Sequence, residues 1–171
     1  MVSSKALVIG LDCAAPQWVF DRWLDVLPTL RSLTERGSFG VLRSCDPPIT
    51  VPAWSSMTSS RSPGALGFYG FRNRRDHSYD ALAFADSRAV RMPRVWDILS
   101  RRGRPVIILG VPQTYPVSRV NGVMVSCFLT PDTERSQYTY PSEVKEEIEG
   151  LVGRYMVDVE GFRTEGKDRL L

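Results

Sequence analysis

Histidine is almost missing from this chain: His77 is the single one in 171 residues. A zinc centre built on several imidazoles is therefore beyond these residues alone. Cysteine is nearly as scarce. Cys13, Cys45 and Cys127 form an odd set without CxxC spacing, which excludes a disulfide framework and a zinc ribbon, and all three are expected to be buried, inert thiols. No long hydrophobic run occurs: Val106 to Val111 is the longest near-continuous one, far below the ~20 residues of a membrane-spanning helix. Met1-Val2-Ser3-Ser4-Lys5 runs straight into Ala6-Leu7-Val8-Ile9-Gly10, too short and too early-charged for a secretory signal. A cytoplasmic protein without a membrane partner is expected. Two enzyme classes also lack their motifs. A dinucleotide site needs G-x-G-x-x-G after the first strand, where this chain has Gly10-Leu11-Asp12-Cys13-Ala14. A Ser-His-Asp hydrolase needs a G-x-S-x-G elbow, which is absent.

What is present suits a folded domain. Hydrophobic residues make up 43% and charged residues 24%, enough apolar content to offset chain entropy. The net charge of +3 conceals an uneven distribution. Residues 61 to 104 hold ten arginines against four aspartates, Asp76, Asp80, Asp86 and Asp97, while Glu143, Glu146, Glu147 and Glu149 make a later segment acidic. The basic stretch is either a solvated surface or a face for an anionic ligand. With no recognised nucleic-acid module and no aromatic interleaving, a nucleic-acid partner is not expected.

Hydrophobic spacing gives the order of elements. Lys5 to Asp12 and Pro105 to Val111 are apolar runs without strict alternation, which predicts buried parallel strands. Ser38 to Cys45 and Gly122 to Phe128 read as further strands. Between Pro16 and Arg36, apolar residues recur at steps of three and four, broken at Pro28 and closed by Gly37, so two short helices are expected. A helix starts at Thr50-Val51-Pro52 and ends at Ser62-Pro63-Gly64. Gly67 to Asp80 lacks a period and reads as loop. Arg94 to Arg102 predicts a helix with Val95, Ile98 and Leu99 on one side, and Ser142 to Val152 one with Val144, Ile148 and Leu151 inward. The alternation predicts an α/β class with a largely parallel sheet flanked by helices.

Ligands in open α/β sheets gather beyond the carboxyl ends of strands. Asp12 closes the first predicted strand, as a cap or turn residue or as a hard-oxygen cation ligand. Thr50 follows the second, as a helix cap or as a hydroxyl beside the positive end of a helix dipole. Beside a metal held by Asp12 it would become an activated nucleophile. Position alone leaves both alternatives open.

Together, VIGLDCA and PPITVPAWSSMTSSRSPGALGFYGF resemble the opening of the alkaline phosphatase superfamily, in its type I phosphodiesterase/nucleotide pyrophosphatase branch. The stretches YGFRNRRDHSYD, ILGVPQTYPVSRVNGVMVSCFLTP and YTYPSEV extend the resemblance over nearly the whole chain. It implies an alkaline-phosphatase-like fold and a metal-dependent phosphoric ester hydrolase acting on a phosphate ester substrate. The implied nucleophile is Thr50, which with Asp12 would also bind metal. Arg72, Arg74 and Arg75 are candidate substrate-binding residues that stabilise phosphoryl oxygens. A sulfatase, in the same superfamily, needs a Cys or Ser nucleophile and an Arg two residues after the proline, where this chain has Thr50 and Trp54. After the nucleophile helix, relatives commonly carry Thr-Gly and Pro-Gly-x-His-Gly. Here Thr58-Ser59 and Pro63-Gly64-Ala65-Leu66-Gly67 stand instead.

Members of that branch use two divalent metals, usually zinc, with most ligands drawn from later in the chain. His77 sits in the Arg-rich loop upstream of those positions and is expected to have a surface or substrate-loop role. The resemblance thus implies that residues 1–171 are the N-terminal part of a catalytic domain, the fold incomplete and the chain inactive alone. A phosphotransferase or phosphomutase on the same scaffold, or a catalytically silent α/β module binding an anion or a protein, are the alternatives.

Overall fold

Proline in the first turn and a left-handed residue just past the end delimit the helices Thr50–Ser59 and Pro63–Leu66. The computed structural model describes residues 4–76 and 78–159, so His77 lies outside the described residues. Two compact units divide the chain, Met1–Arg43 and Ser44–Leu171.

In the first unit, a π-helical segment Gln17–Arg22 and a 3-10 turn Leu24–Val26 lead into α1, Pro28–Arg36. Pro28 occupies the first turn of α1, where its missing N–H costs nothing. The break at this residue is as expected. Trp18 stacks on Trp23 at 5.2 Å, Phe20 lies 5.1 Å from Phe39, and Asp25 pairs with Arg31. The two strands expected here, 5–12 and 38–45, are not formed. Leu7, Val8 and Ile9, and Val41 and Leu42, are all more than 70% exposed. A strand covered on both faces takes its stability from neighbouring strands and layers. None of the described residues pairs with these segments, so apolar content alone does not make them strands.

The second unit carries the rest. α2 spans Thr50–Ser59 and stops where Ser60 turns left-handed at φ 55°, earlier than the expected end. Ser62 caps a separate short α3, Pro63–Leu66, by accepting from the Ala65 amide. The expected loop 67–80 contains β1, Arg72–Arg74, which pairs antiparallel with β2, Leu82–Phe84. Glycines and charges hid this ribbon because only three residues on each strand pair. α4, Val95–Arg101, follows, and then a three-stranded sheet in the order β3 (Val106–Leu109), β4 (Gly122–Val125), β5 (Thr139–Tyr140). The β3–β4 pair is parallel and β4–β5 antiparallel. The class is mixed α/β with small sheets, and the largely parallel sheet is not found among the described residues. α5, Val144–Val152, comes last.

Two apolar clusters hold this unit. Trp96, Ile108, Val120 and Met124 form one, on one face of the three-stranded sheet. Val51, Phe68 and Ala85 form the other, packing the start of α2 against the segment after α3 and the end of β2. Fully burying such side chains contributes about 1.5–3 kcal/mol each. On α4 the buried residue is Trp96, whereas Val95, Ile98 and Leu99 are exposed. A helix of seven residues anchored by one large ring needs no broader apolar stripe. Leu151 is likewise 85% exposed at the end of α5, while Val144 and Ile148 are partly buried. β3 is covered on one face only: Ile108 is buried, but Ile107 and Leu109 are exposed. Of the three thiols only Cys127 is buried, Cys45 being intermediate and Cys13 exposed in its turn. Among the described residues, no helix is long and apolar enough to cross a membrane.

Tyr138 is fully buried, stacks on Tyr155 at 5.2 Å, and its hydroxyl has no hydrogen-bond partner among the described residues. Burial raises its pKa, with Glu149 and Tyr155 adding to the rise. The phenol stays neutral in the fold and ionises at about 10 when unfolded. Its contribution is therefore intact below pH ~10 and is lost as the pH climbs towards the folded value. Tyr138→Phe removes a buried, unpaired hydroxyl. The variant is expected to be as stable as the parent at pH 7 or more stable by about 1 kcal/mol, and to unfold at a higher pH. Urea titrations at neutral and alkaline pH measure both, and a loss of stability at pH 7 would contradict the assignment.

Candidate functional site

The N-terminus of α2 is where backbone geometry and a hydroxyl coincide. Thr50 is its first residue and is partly buried, while Val51 and Pro52 beside it are buried. Ile49 is the N-cap and provides no side-chain acceptor. The helix therefore starts without a side-chain cap, leaving the positive end of its dipole directed at whatever lies before it. Thr50 stands at this position, as the proline spacing predicts.

A buried polar network holds α2 from below. Ser55, 2% exposed, donates its hydroxyl to Oε1 of Gln113, itself 1% exposed. The Gln113 amide nitrogen donates to the Ala85 carbonyl at 2.9 Å, and Arg94 Nη1 donates to the Gln113 carbonyl at 3.1 Å. Gln113 lies beyond the carboxyl end of β3 and holds a left-handed backbone, φ 61°. Arg94 stacks over Trp96 at 4.8 Å and faces Asp97 at 3.5 Å. Burial lowers its pKa, and Asp97 opposes that shift. The network fixes α2 one and a half turns below Thr50. Gln113→Met keeps the volume but strands the Ser55 hydroxyl and the Ala85 carbonyl, so a loss of about 3 kcal/mol is expected in urea denaturation. A change below about 0.5 kcal/mol, the range of neutral surface substitutions, would mean that the network is not formed.

Arginines make the second feature. A cleft of about 640 Å³ is lined by Arg74, Arg75, Arg88 and Arg91, with Phe84 and Met92 among its apolar walls. Arg74 lies over the Tyr79 ring at 4.7 Å. Arg88 grips Asp86 through Nε at 2.9 Å and Nη2 at 2.5 Å, and that carboxylate raises its pKa. Phe68 and Ala85, which pack on Val51, also line the cleft, so its floor and the start of α2 share a core. Of the candidate substrate-binding residues, Arg74 and Arg75 reach this cleft. Arg72 does not line it and lies over the Phe84 ring at 5.4 Å. Asp12 is exposed, in a turn of the first unit, and Thr50 belongs to the second.

The donor set does not make a metal centre by itself. Among the described residues there is no group of three or more His, Cys, Asp or Glu side chains able to hold an ion. Zinc takes four ligands, preferring nitrogen and sulfur, whereas Asp12 and Thr50 supply oxygen only.

Sequence reasoning did not find Ser55, Gln113, Arg94, Arg88 or Arg91. The only local sign of Gln113 was its place in a Pro-rich loop after a predicted strand, where ligands and polar networks collect. A family model described as type I phosphodiesterase / nucleotide pyrophosphatase matches residues 6–170. No curated protein and no solved structure matches the chain. Matched over almost its whole length, the chain belongs to the type I phosphodiesterase / nucleotide pyrophosphatase family.

Proposed function

We propose that this chain is the nucleophile-bearing part of a metal-dependent phosphoric ester hydrolase that acts on phosphodiesters. The family is one of phosphoester hydrolases, and the observation that carries the reading is Thr50 as the first residue of an uncapped α2. Thr50 Oγ1 attacks phosphorus in line. The new O–P bond forms as the ester bond to the leaving alcohol breaks, and the hydroxyl proton ends on that alcohol. Water then cleaves the phospho-enzyme and restores the hydroxyl. Amides at the start of α2 face the charge that develops on the phosphoryl oxygens. Arg74 and Arg75, on and after β1, supply planar donors for the ester's anionic group.

Asp12 and Thr50 are this chain's contribution of metal-binding oxygens in the proposal, and no step above runs through the metal. Two zinc ions in the complete enzyme, and a cytoplasmic location, belong to the same reading. Release of nitrophenol from bis-nitrophenyl phosphate by the protein expressed from its whole reading frame tests it. Turnover lost on chelation and restored by zinc is expected, and turnover indifferent to chelation would refute the metal requirement.

A further inference from the structure

The arginine cleft is lined by two unlike kinds of side chain. Arg75 and Arg91 form no ion pair among the described residues, whereas Arg88 is held by Asp86. No carboxylate is among the residues lining the cleft. Apolar side chains share the lining with the guanidinium groups, and two of them are exposed: Phe84, whose ring Arg72 overlies at 5.4 Å, is 65% and Met92 37% exposed. An inorganic anion would satisfy the arginines and leave that apolar surface wet. An uncharged apolar molecule would cover the surface and desolvate the guanidiniums without a partner, which is costly. A ligand that carries both parts satisfies both kinds.

We propose that this cleft binds a phosphate monoester with an apolar substituent. A phosphate monoester carries close to two negative charges at neutral pH, matching the two unengaged guanidiniums, where a carboxylate would neutralise only one. Its oxygens accept the parallel donors that arginine presents. The alkyl or aryl group lies on Phe84 and Met92 and removes their exposed surface from water. Arg74 and Arg75 are shared with the substrate contacts of the hydrolase reading, but neither Thr50 nor Asp12 lines the cleft, so hexyl phosphate binding that persists where turnover is absent separates the failure of one reading from the failure of the other.

Calorimetric titration with hexyl phosphate, inorganic phosphate and hexanol tests this. It is run in Thr50→Ala so that no ester is consumed. Hexyl phosphate is expected to bind about tenfold or more tighter than inorganic phosphate, since its methylenes leave water on binding, and hexanol is expected to give no saturable signal. Arg75→Glu and Arg91→Glu, at exposed positions, should each weaken hexyl phosphate at least tenfold. Phe84→Ser should lower its affinity towards that of inorganic phosphate while leaving the latter unchanged. Sedimentation with vesicles containing phosphatidic acid, lost in Arg91→Glu, would assign the same chemistry to a lipid. Binding of hexyl phosphate without sedimentation assigns it to a soluble ester. Equal affinity for hexyl phosphate and inorganic phosphate, or affinity unchanged in Arg75→Glu and Arg91→Glu, overturns the proposal.

Discussion

Thr50→Ala is expected to lower turnover of bis-nitrophenyl phosphate by roughly 10³-fold or more, with thermal unfolding little changed. Removing a covalent nucleophile leaves only the catalysis that binding and electrostatics supply, so its cost falls on kcat rather than on KM. The fold should tolerate the change because α2 does not use this side chain as its N-cap. Ile49 holds that position, and the helix is anchored instead by buried Val51, Pro52 and Ser55. Thr50→Ser, which keeps a hydroxyl, should recover much of the rate. If alanine and serine were equally slow, or alanine equally fast, Thr50 would not be the attacking group.

Gly122→Ala is the substitution with the largest expected effect on stability. Gly122 opens β4 directly opposite Val106 of β3, with φ 141°, a backbone that side chains rarely adopt. A Cβ there would overlap the Val106 carbonyl oxygen, and its other near neighbours are also backbone atoms of Val106. Neither strand can yield without breaking the parallel pair that carries Ile108 and Met124 into the core. A cost above about 4 kcal/mol is expected, among the largest that single substitutions produce. Gly110→Ala is the control. Its φ of 63° is also left-handed, but a Cβ would meet nothing within 4 Å, so about 1–2 kcal/mol is expected. Urea denaturation of the two variants separates backbone strain from steric overlap, and similar costs would contradict the strand register.

How much of this was legible in the sequence depended on whether the stabilising interaction is local. The start of α2, the break before Pro28 and the helices over 95–101 and 144–152 follow from proline placement and periodicity, which act within a turn or two. The runs at 5–12 and 38–45 have the composition of strands, yet composition cannot supply the neighbours that a ladder needs. The β1–β2 ribbon had the reverse problem: Asn73 at the centre of β1 is a poor strand former by type, and the pairing of Arg72 and Arg74 with Phe84 and Leu82 makes the strand.

The same division runs through the site. Thr50 was readable because the helix start is a local feature. The excess of arginine over 61–104 was readable too, but which four converge on the cleft is set by the ribbon and the 3-10 turn Ser87–Ala89. Gln113 joins Ser55, Ala85 and Arg94 across 58, 28 and 19 residues. No window along the chain contains that network.

The central claim is that Thr50 forms a covalent bond to phosphorus. Acid quenching of the protein during turnover of bis-nitrophenyl phosphate, followed by mass analysis of its peptides, tests this most directly. A nitrophenylphosphoryl adduct on the peptide containing Thr50, one nitrophenol having left and the other still esterified, absent from Thr50→Ala, is the predicted result. Steady turnover with no adduct on that peptide at any quench time, and an equal rate in Thr50→Ala, would contradict it.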